Sequence, residues 1–169
     1  MRQRKNGKSN LSGEAFWRFS LAFYARPGIA EALIALQDRA GRDVNLMLFA
    51  MWRGAVHGKR LRASELGAAE AAIAPLRREI VGPLCALRRR LKTEGDADIQ
   101  ALRRRILGLE LTAERAAQSR LATIEPVPQS EPDRCDAAEA NLLLSLGAEA
   151  QSAEAAVLCR GLRDFLSRD

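Results

Sequence analysis

The chain has 169 residues, a formal net charge of +6 and three cysteines, which suits one domain with a hydrophobic core of its own. Glycine and proline are too few for a low-complexity or collagen-like chain, and no apolar run reaches the roughly 18–20 residues of a membrane span. Cys85, Cys135 and Cys159 form neither a disulfide framework nor a paired metal motif, and His57 is the only histidine. We therefore expect neither a metal site nor a cofactor.

Charge is distributed unevenly along the chain. Residues 1–120 carry 23 basic and 12 acidic side chains, whereas residues 121–169 carry 4 basic and 9 acidic ones. A basic body favours a polyanion or an acidic partner, although an acidic C-terminal part is equally able to neutralise the body of its own chain. No signal-peptide apolar segment follows the basic N-terminus, so we expect a cytoplasmic protein with a disordered start over residues 1–11.

Helical periodicity recurs throughout and strand signals are weak, so the sequence predicts an all-α fold. A first helix is expected from about residue 12 to 25, with one apolar stripe of Phe16, Phe19 and Phe23. A second stripe on the adjacent face holds Trp17, Leu21 and Tyr24. Because two stripes leave only a narrow polar edge, we expect this helix to be central and Trp17 to be largely buried.

Two further helices complete a compact aromatic unit. Pro27 is suited to the first position of the second helix, and Gly41 is suited to its C-terminal end. Asp43 is a natural N-cap for the third helix, which is expected to continue to about His57. His57 then lies at the negative end of the helix dipole, which is a structural position.

The rest of the chain reads as a helical hairpin followed by a tail. One helix is predicted over residues 64–93, kinked or broken by Pro75 and Pro83, and a second over residues 97–123. The second is expected to bury a stripe of Ile99, Leu102, Ile106 and Leu109. We therefore predict a helical domain over 12–124, a proline-rich linker over 125–135 and an acidic helical tail over 136–169. Short helices are expected at 141–146 and 153–166, and a chain that ends at Ile124 is expected to stay folded.

The N-terminal third also carries a recognisable pattern. It contains Phe16-Trp17-x-Phe19, then Pro27-Gly28, Leu36-Gln37-Asp38 and Gly41-x-Asp43-Val44-Asn45-Leu46. Together with Pro83-Leu84-x-x-Leu87-Arg88-Arg89, this pattern resembles a family of uncharacterised proteobacterial proteins over roughly residues 14–93. The resemblance implies a bacterial protein and assigns no activity and no functional residues.

Two arginine triplets form the first candidate site. They lie on either side of the predicted turn and come level in an antiparallel hairpin, where a subset could form a patch that binds phosphate groups. The alternative is an ordinary solvated surface, since no aromatic residue is interleaved for base stacking. The residues are Arg88, Arg89, Arg90, Arg103, Arg104 and Arg105.

The second candidate site is an aromatic pocket with carboxylates at its edge. Two acidic residues five positions apart could bind a cation or act as acid and base. The simpler interpretation is that the aromatics are core, that Asp43 caps a helix, that Asp38 pairs with Arg42, and that Asn45 satisfies backbone groups. The residues are Trp17, Tyr24, Gln37, Asp38, Asp43, Asn45 and Trp52.

These candidates predict two functions. The first is a non-enzymatic interaction or regulatory protein that acts through the basic hairpin on an acidic protein or a nucleic acid. The alternative is a small-molecule-binding or catalytic helical protein that uses the aromatic pocket with Asp38, Asp43 and Asn45. The pocket hypothesis predicts a closed cavity of roughly several hundred Å³ with carboxylates pointing inward, and the hairpin hypothesis predicts a convex helical surface without a cavity.

Overall fold

The computed structural model describes residues 3–124 and 133–167, and it describes side chains from residue 12 onward. These residues form eight α-helices and, within the described ranges, no strand, so the predicted all-α fold is confirmed. The helices are α1 (Gln3–Tyr24), α2 (Ile29–Ala40), α3 (Val44–His57), α4 (Ala63–Leu76), α5 (Gly82–Arg90), α6 (Ala97–Ala122), α7 (Arg134–Leu146) and α8 (Ala153–Leu166).

Helix α3 is the central element. Every residue from Asn45 to Ala55 is buried, because α1, α2, α4, α6 and α7 all pack around it. Its ends are set locally, as predicted: the Asp43 side chain accepts a hydrogen bond from the Leu46 amide at 2.8 Å, and Gly58 closes the helix in the left-handed conformation. His57 is the last residue of the helix.

Helix α1 differs from its prediction at two points. It begins at Gln3 rather than near residue 12, so the backbone of residues 3–11 is helical where a disordered segment was expected. The Phe16, Phe19 and Phe23 stripe is buried in the core as predicted, but Trp17 is only partly buried. The second stripe, Trp17, Leu21 and Tyr24, lines an open cavity instead of the core, so Trp17 keeps part of its surface exposed.

The predicted hairpin is present, and its proline-rich arm is not a regular α-helix throughout. Between α4 and α5 the backbone passes through a π-helical turn, Arg77–Val81, in which the Gly82 amide donates to the Arg77 carbonyl. Pro83 has no N–H to donate, so the wider turn accommodates the lost hydrogen bond. A 3-10 turn, Leu91–Thr93, then leads to the Asp96 N-cap of α6.

The buried face of α6 is not the predicted leucine stripe. Ile106 is buried, but Leu109 is 59% exposed and Leu102 is 46% exposed. The face that packs inward instead holds mainly small and polar side chains, with Leu121 buried near its C-terminal end. Its buried members are Ile106, Glu110, Ala113, Ala117, Gln118, Leu121 and Ala122.

The C-terminal helices belong to the core, which corrects the prediction of a peripheral tail. The most extensive helix contact in the molecule joins α3 and α7, and α8 packs on α2. The side chains of Ala138, Leu142, Leu146 and Leu158 are fully buried. Helix α8 spans the predicted residues 153–166, whereas α7 begins at Arg134, inside the predicted linker. The remainder of that linker, residues 125–132, lies outside the described residues.

Candidate functional site

A cavity of about 240 Å³ opens between α1, α2, the start of α3, α5 and α6. We call it the α1–α6 pocket. Its apolar wall consists of Trp17, Leu21, Tyr24, Ile34, Val44, Leu48, Leu107 and Leu111. Its polar wall consists of Ser20, Gln37, Asn45, Cys85, Arg88, Arg89, Glu110, Glu114 and Gln118. An apolar cavity with a few convergent polar groups is the usual form of a small-molecule site.

A chain of buried hydrogen bonds fixes one side of the pocket. The Ser20 hydroxyl of α1 donates to Gln118 Oε1 at 3.1 Å, and Gln118 Nε2 of α6 donates to Asn45 Oδ1 of α3 at 2.8 Å. All three side chains are buried. The network therefore orients two amide groups at the pocket wall and ties three helices together.

An ion pair forms another part of the pocket wall. Arg88 Nη2 of α5 donates to Glu110 Oε1 at 3.0 Å, and Arg88 Nε contacts Glu110 Oε2, so the pair is bidentate. Glu110 is only 5% exposed. The Cys85 thiol lies 3.9 Å from Arg88 Nη2, and burial raises the pKa of that thiol. The charges of Arg88 and Glu110 therefore balance each other within the pocket.

Glu114 lies one helical turn beyond Glu110 on the same wall. Among the described residues it has no hydrogen-bond or ion-pair partner. Burial, followed by repulsion from Glu110 and Asp43, raises the pKa of Glu114 to about 7, against the opposing effect of Arg88. A carboxyl group in this state gains or loses its proton near neutral pH, so it can act as a hydrogen-bond donor or as an anion.

Four of the seven predicted pocket residues line this cavity: Trp17, Tyr24, Gln37 and Asn45. Burial raises the pKa of the Tyr24 hydroxyl, with Glu114 and Glu31 adding to the shift. Asn45 bonds to the Gln118 side chain rather than to turn backbone.

The other three predicted pocket residues have structural roles. Asp38 accepts a hydrogen bond from Arg89 at 2.9 Å, so the prediction that it pairs with Arg42 was wrong. Trp52 is 1% exposed and stacks on Phe16 at a centroid distance of 4.9 Å, so it belongs to the core. Asp43 caps α3 and faces a separate groove, described next.

The separate groove has a volume of about 420 Å³ and runs beside the π-helical turn. Asp43 and Arg77 form an ion pair there at 3.2 Å, and Arg77 also donates to the Gly41 carbonyl at 3.1 Å. Burial raises the pKa of Asp43. Because the Asp43 carboxylate is already used by the Leu46 amide and by Arg77, this groove is the weaker candidate despite its size.

The six predicted arginines do not form one patch. Arg88 faces Glu110 rather than Arg105, and Arg89 pairs with Asp38, so both are held by intramolecular partners. Arg103 is partly buried, and its Nε atom has no hydrogen-bond partner. Arg90, Arg104 and Arg105 are exposed and have no ion-pair partner in residues 12–124 or 133–167.

Five polar residues of the pocket wall were not predicted from the sequence: Ser20, Cys85, Glu110, Glu114 and Gln118. A signal was present on α6, where Glu110, Glu114 and Gln118 recur every four residues and therefore share one face. Alanines flank them on that face. The leucines of α6 were instead predicted to be its buried face, so the polar face was overlooked.

Among the described residues, no group of three or more His, Cys, Asp or Glu side chains is placed to hold a metal ion. In the same part of the chain, no single helix is long and apolar enough to cross a membrane.

Comparison with known families gives one match. The family described as "Protein of unknown function (DUF2390)" matches residues 15–121, which is more than half of the chain. All residues that line the α1–α6 pocket lie within the matched segment, whereas α7 and α8 lie beyond it. No curated protein and no solved structure matches the chain.

Proposed function

Because the chain belongs to the DUF2390 family of proteins of unknown function, we propose its function from its own geometry: it binds a small organic molecule in the α1–α6 pocket. The observation that carries this proposal is Glu114, a carboxyl group without a partner among the described residues, placed in a largely apolar cavity beside a buried ion pair.

A purely structural role explains these side chains poorly. Burying a charge costs free energy unless it is paired, and buried ion pairs are often replaceable by apolar residues without loss of stability. Leucine or methionine at positions 110 and 114 would close the cavity at lower cost. The polar groups are consistent with a site whose remaining hydrogen bonds are completed by a ligand.

The proposal is for binding rather than for catalysis. The Ser20 hydroxyl already donates to Gln118, and the pKa of Cys85 is raised, which leaves its thiol protonated at neutral pH. An activated nucleophile requires a neighbouring base or a lowered pKa. Ser20 has neither feature, and the carboxylate beside Cys85, that of Glu110, is already paired with Arg88.

A fragment screen with two matched variants tests this proposal. Leu107 is 42% exposed at the pocket mouth, and Leu109 is 59% exposed on the same helix outside the pocket. Leu107→Trp should block the mouth, and Leu109→Trp should leave it open, with little effect on folding in either case because both positions are exposed. Chemical-shift perturbation by fragments of about ten heavy atoms is the measurement.

Fragments should shift the pocket resonances of the wild-type chain and of the control variant Leu109→Trp. They should not shift the pocket resonances of Leu107→Trp. Two outcomes would overturn the proposal. One is that no fragment perturbs the pocket. The other is that Leu107→Trp binds the same fragments with unchanged affinity.

The basic hairpin supports a second candidate function, namely binding to an acidic protein or a nucleic acid. The observation in its favour is that Arg90, Arg104 and Arg105 are exposed and have no ion-pair partner in the described part of the chain. Arginines without intramolecular partners remain available for phosphate or carboxylate groups. This proposal is narrower than the six-residue patch, since Arg88 and Arg89 are already paired.

A titration with heparin and with a generic DNA duplex at two salt concentrations tests this second candidate. Replacing Arg90, Arg104 and Arg105 by Gln should abolish binding that weakens steeply with salt. A control that replaces Arg18, Arg120 and Arg160 by Gln removes the same charge from exposed positions elsewhere. Equal loss in both variants, or no binding at low salt, would contradict a specific site on the hairpin.

A further inference from the structure

We propose that the ligand of the α1–α6 pocket is an organic amine: a single cationic head group that pairs with Glu114, attached to an apolar body that extends to the pocket mouth. This inference rests on the proposed function and specifies the chemical class of the ligand.

The charges in the pocket support a cationic head group. Arg88 is paired with Glu110, and Arg89 is paired with Asp38 at 2.9 Å. The four charged residues that line the pocket sum to zero, but Arg89 is paired with Asp38 outside the lining, which leaves the carboxyl group of Glu114 without a partner there. A ligand ammonium group would neutralise it and donate hydrogen bonds to it.

The same charges disfavour an anionic head group. A ligand carboxylate would lie beside both Glu110 and Glu114, and the guanidinium groups of Arg88 and Arg89 already have carboxylate partners. Two carboxylates that share one site repel each other unless one takes up a proton. Recognition of an anion would therefore require either proton uptake by Glu114 or a guanidinium group shared between two carboxylates.

The pocket mouth supports an apolar body. Leu21, Ile34, Leu107 and Leu111 come from three helices, and all four are more than 40% exposed at the lining of this single cavity. The volume of about 240 Å³ lies below the roughly 300–1,000 Å³ that encloses a drug-sized ligand. A small head group therefore fits inside, and an alkyl or aromatic body contacts the exposed leucines.

Tyr24 adds a second favourable contact for a cation. Its ring and the Glu114 carboxyl group line the same pocket, whereas the Trp17 ring, which also lines it, already has the Arg115 guanidinium 5.8 Å from its centroid. An ammonium group near an aromatic ring is attracted by the negative face of the ring. The site therefore offers a carboxylate and one free aromatic ring to the same head group.

Three probes with the same six-carbon body test this inference: hexylamine, 1-hexanol and hexanoate. Binding is measured by titration near pH 8 with the full chain, for the wild type, for Glu114→Gln and for the control Glu94→Gln, whose carboxyl group is exposed at the hairpin turn. Hexylamine should bind wild type and Glu94→Gln about tenfold or more tighter than hexanol does. In Glu114→Gln that preference should disappear, while the affinity for hexanol is retained.

The outcomes separate the two proposals. If hexanol binds in the pocket but hexylamine binds no better, or if hexanoate binds best, the ligand is not an amine and the proposed function still stands. A hexylamine preference that survives in Glu114→Gln would also overturn the inference. If none of the probes or fragments binds wild type, both proposals fail. Circular dichroism of each variant establishes that it is folded.

Discussion

Glu114 connects stability to pH at the scale of a single residue. Its carboxyl group has a pKa of about 7 in the folded chain, compared with an ordinary value of 4.5. A raised pKa in the folded state means that the stabilising contribution is complete below the ordinary value and is lost as pH rises through about 7. The titratable groups that line the same pocket are Tyr24, Cys85, Arg88, Arg89 and Glu110, and the charge of Asp43 also acts on Glu114 from the neighbouring groove.

Replacement of Glu114 by Gln should therefore stabilise the protein at about pH 8 and have little effect near pH 5. The uncharged amide removes the cost of an ionised carboxyl in the pocket. The expected gain is about 1–2 kcal/mol, which is less than the full shift implies because the pocket is open to water. Urea denaturation of both proteins at the two pH values measures the difference. If the substitution changes the free energy of unfolding equally at the two pH values, ionisation of Glu114 does not destabilise the folded chain.

Residues that cap or end a helix were predicted well, whereas the local partners expected for Asp38 and Asn45 were wrong. Asp43 caps α3 and His57 ends it, because a cap needs only the backbone within three residues. Glu110, Glu114 and Gln118 were missed because their roles depend on α1, α3 and α5, which are distant in sequence. The sequence also favoured Leu102 and Leu109 as core, whereas α6 packs through alanines that permit close helix contact.

At the scale of an element, the crossing of α3 and α7 depends on Gly54. A Cβ atom at Gly54 would lie 2.1 Å from the Ala138 backbone nitrogen, so the two helices are in backbone contact at this point. The clash involves backbone rather than a flexible side chain, and it cannot be relieved by a rotamer change. Close approach at this position explains why a glycine is placed in the middle of a buried helix.

Gly54→Ala should accordingly lower the free energy of unfolding by about 3 kcal/mol or more, because α7 must move away from α3. Gly67→Ala is the matched control, since Gly67 is an exposed residue within α4 with no atom within 4 Å of the added Cβ. That control should raise stability by up to about 1 kcal/mol through helix propensity. Chemical denaturation of both variants provides the test, and similar values for the two would contradict the close crossing.

Helix boundaries set by local signals were predicted more reliably than helix packing. Gly41 ends α2, and Asp96 begins α6, each through its own backbone or side-chain hydrogen bonds. An irregularity between Pro75 and Pro83 was also expected from the prolines, and the π-helical turn lies there. The docking of α7 on α3 was not expected, because no periodicity within residues 136–169 shows which distant helix will cover an alanine-rich face.

At the scale of the whole molecule, the acidic C-terminal helices complete the basic body. Arg39 of α2 bonds to Glu154 at 2.9 Å and to Glu149 at 3.1 Å. Ion pairs at such an exposed arginine contribute little to stability. The larger contribution comes from apolar burial, since the side chains of Leu142, Leu146 and Leu158 are fully buried in the shared core.

A chain that ends at Ile124 should therefore lose cooperative folding, which reverses the expectation from sequence. Without α7 and α8, the faces of α3 and α2 that they cover are exposed to water, including Ile29, which lies against Gly161 of α8. Removing even one fully buried large side chain costs about 2–5 kcal/mol, and the truncation uncovers several, against a typical domain stability of about 5–15 kcal/mol. Thermal unfolding followed by circular dichroism should show a broad transition or none. A control chain that ends at Ser167 keeps α8 and should unfold cooperatively. Cooperative unfolding of the chain that ends at Ile124, near the midpoint of the full chain, would show that α1–α6 form an independent domain.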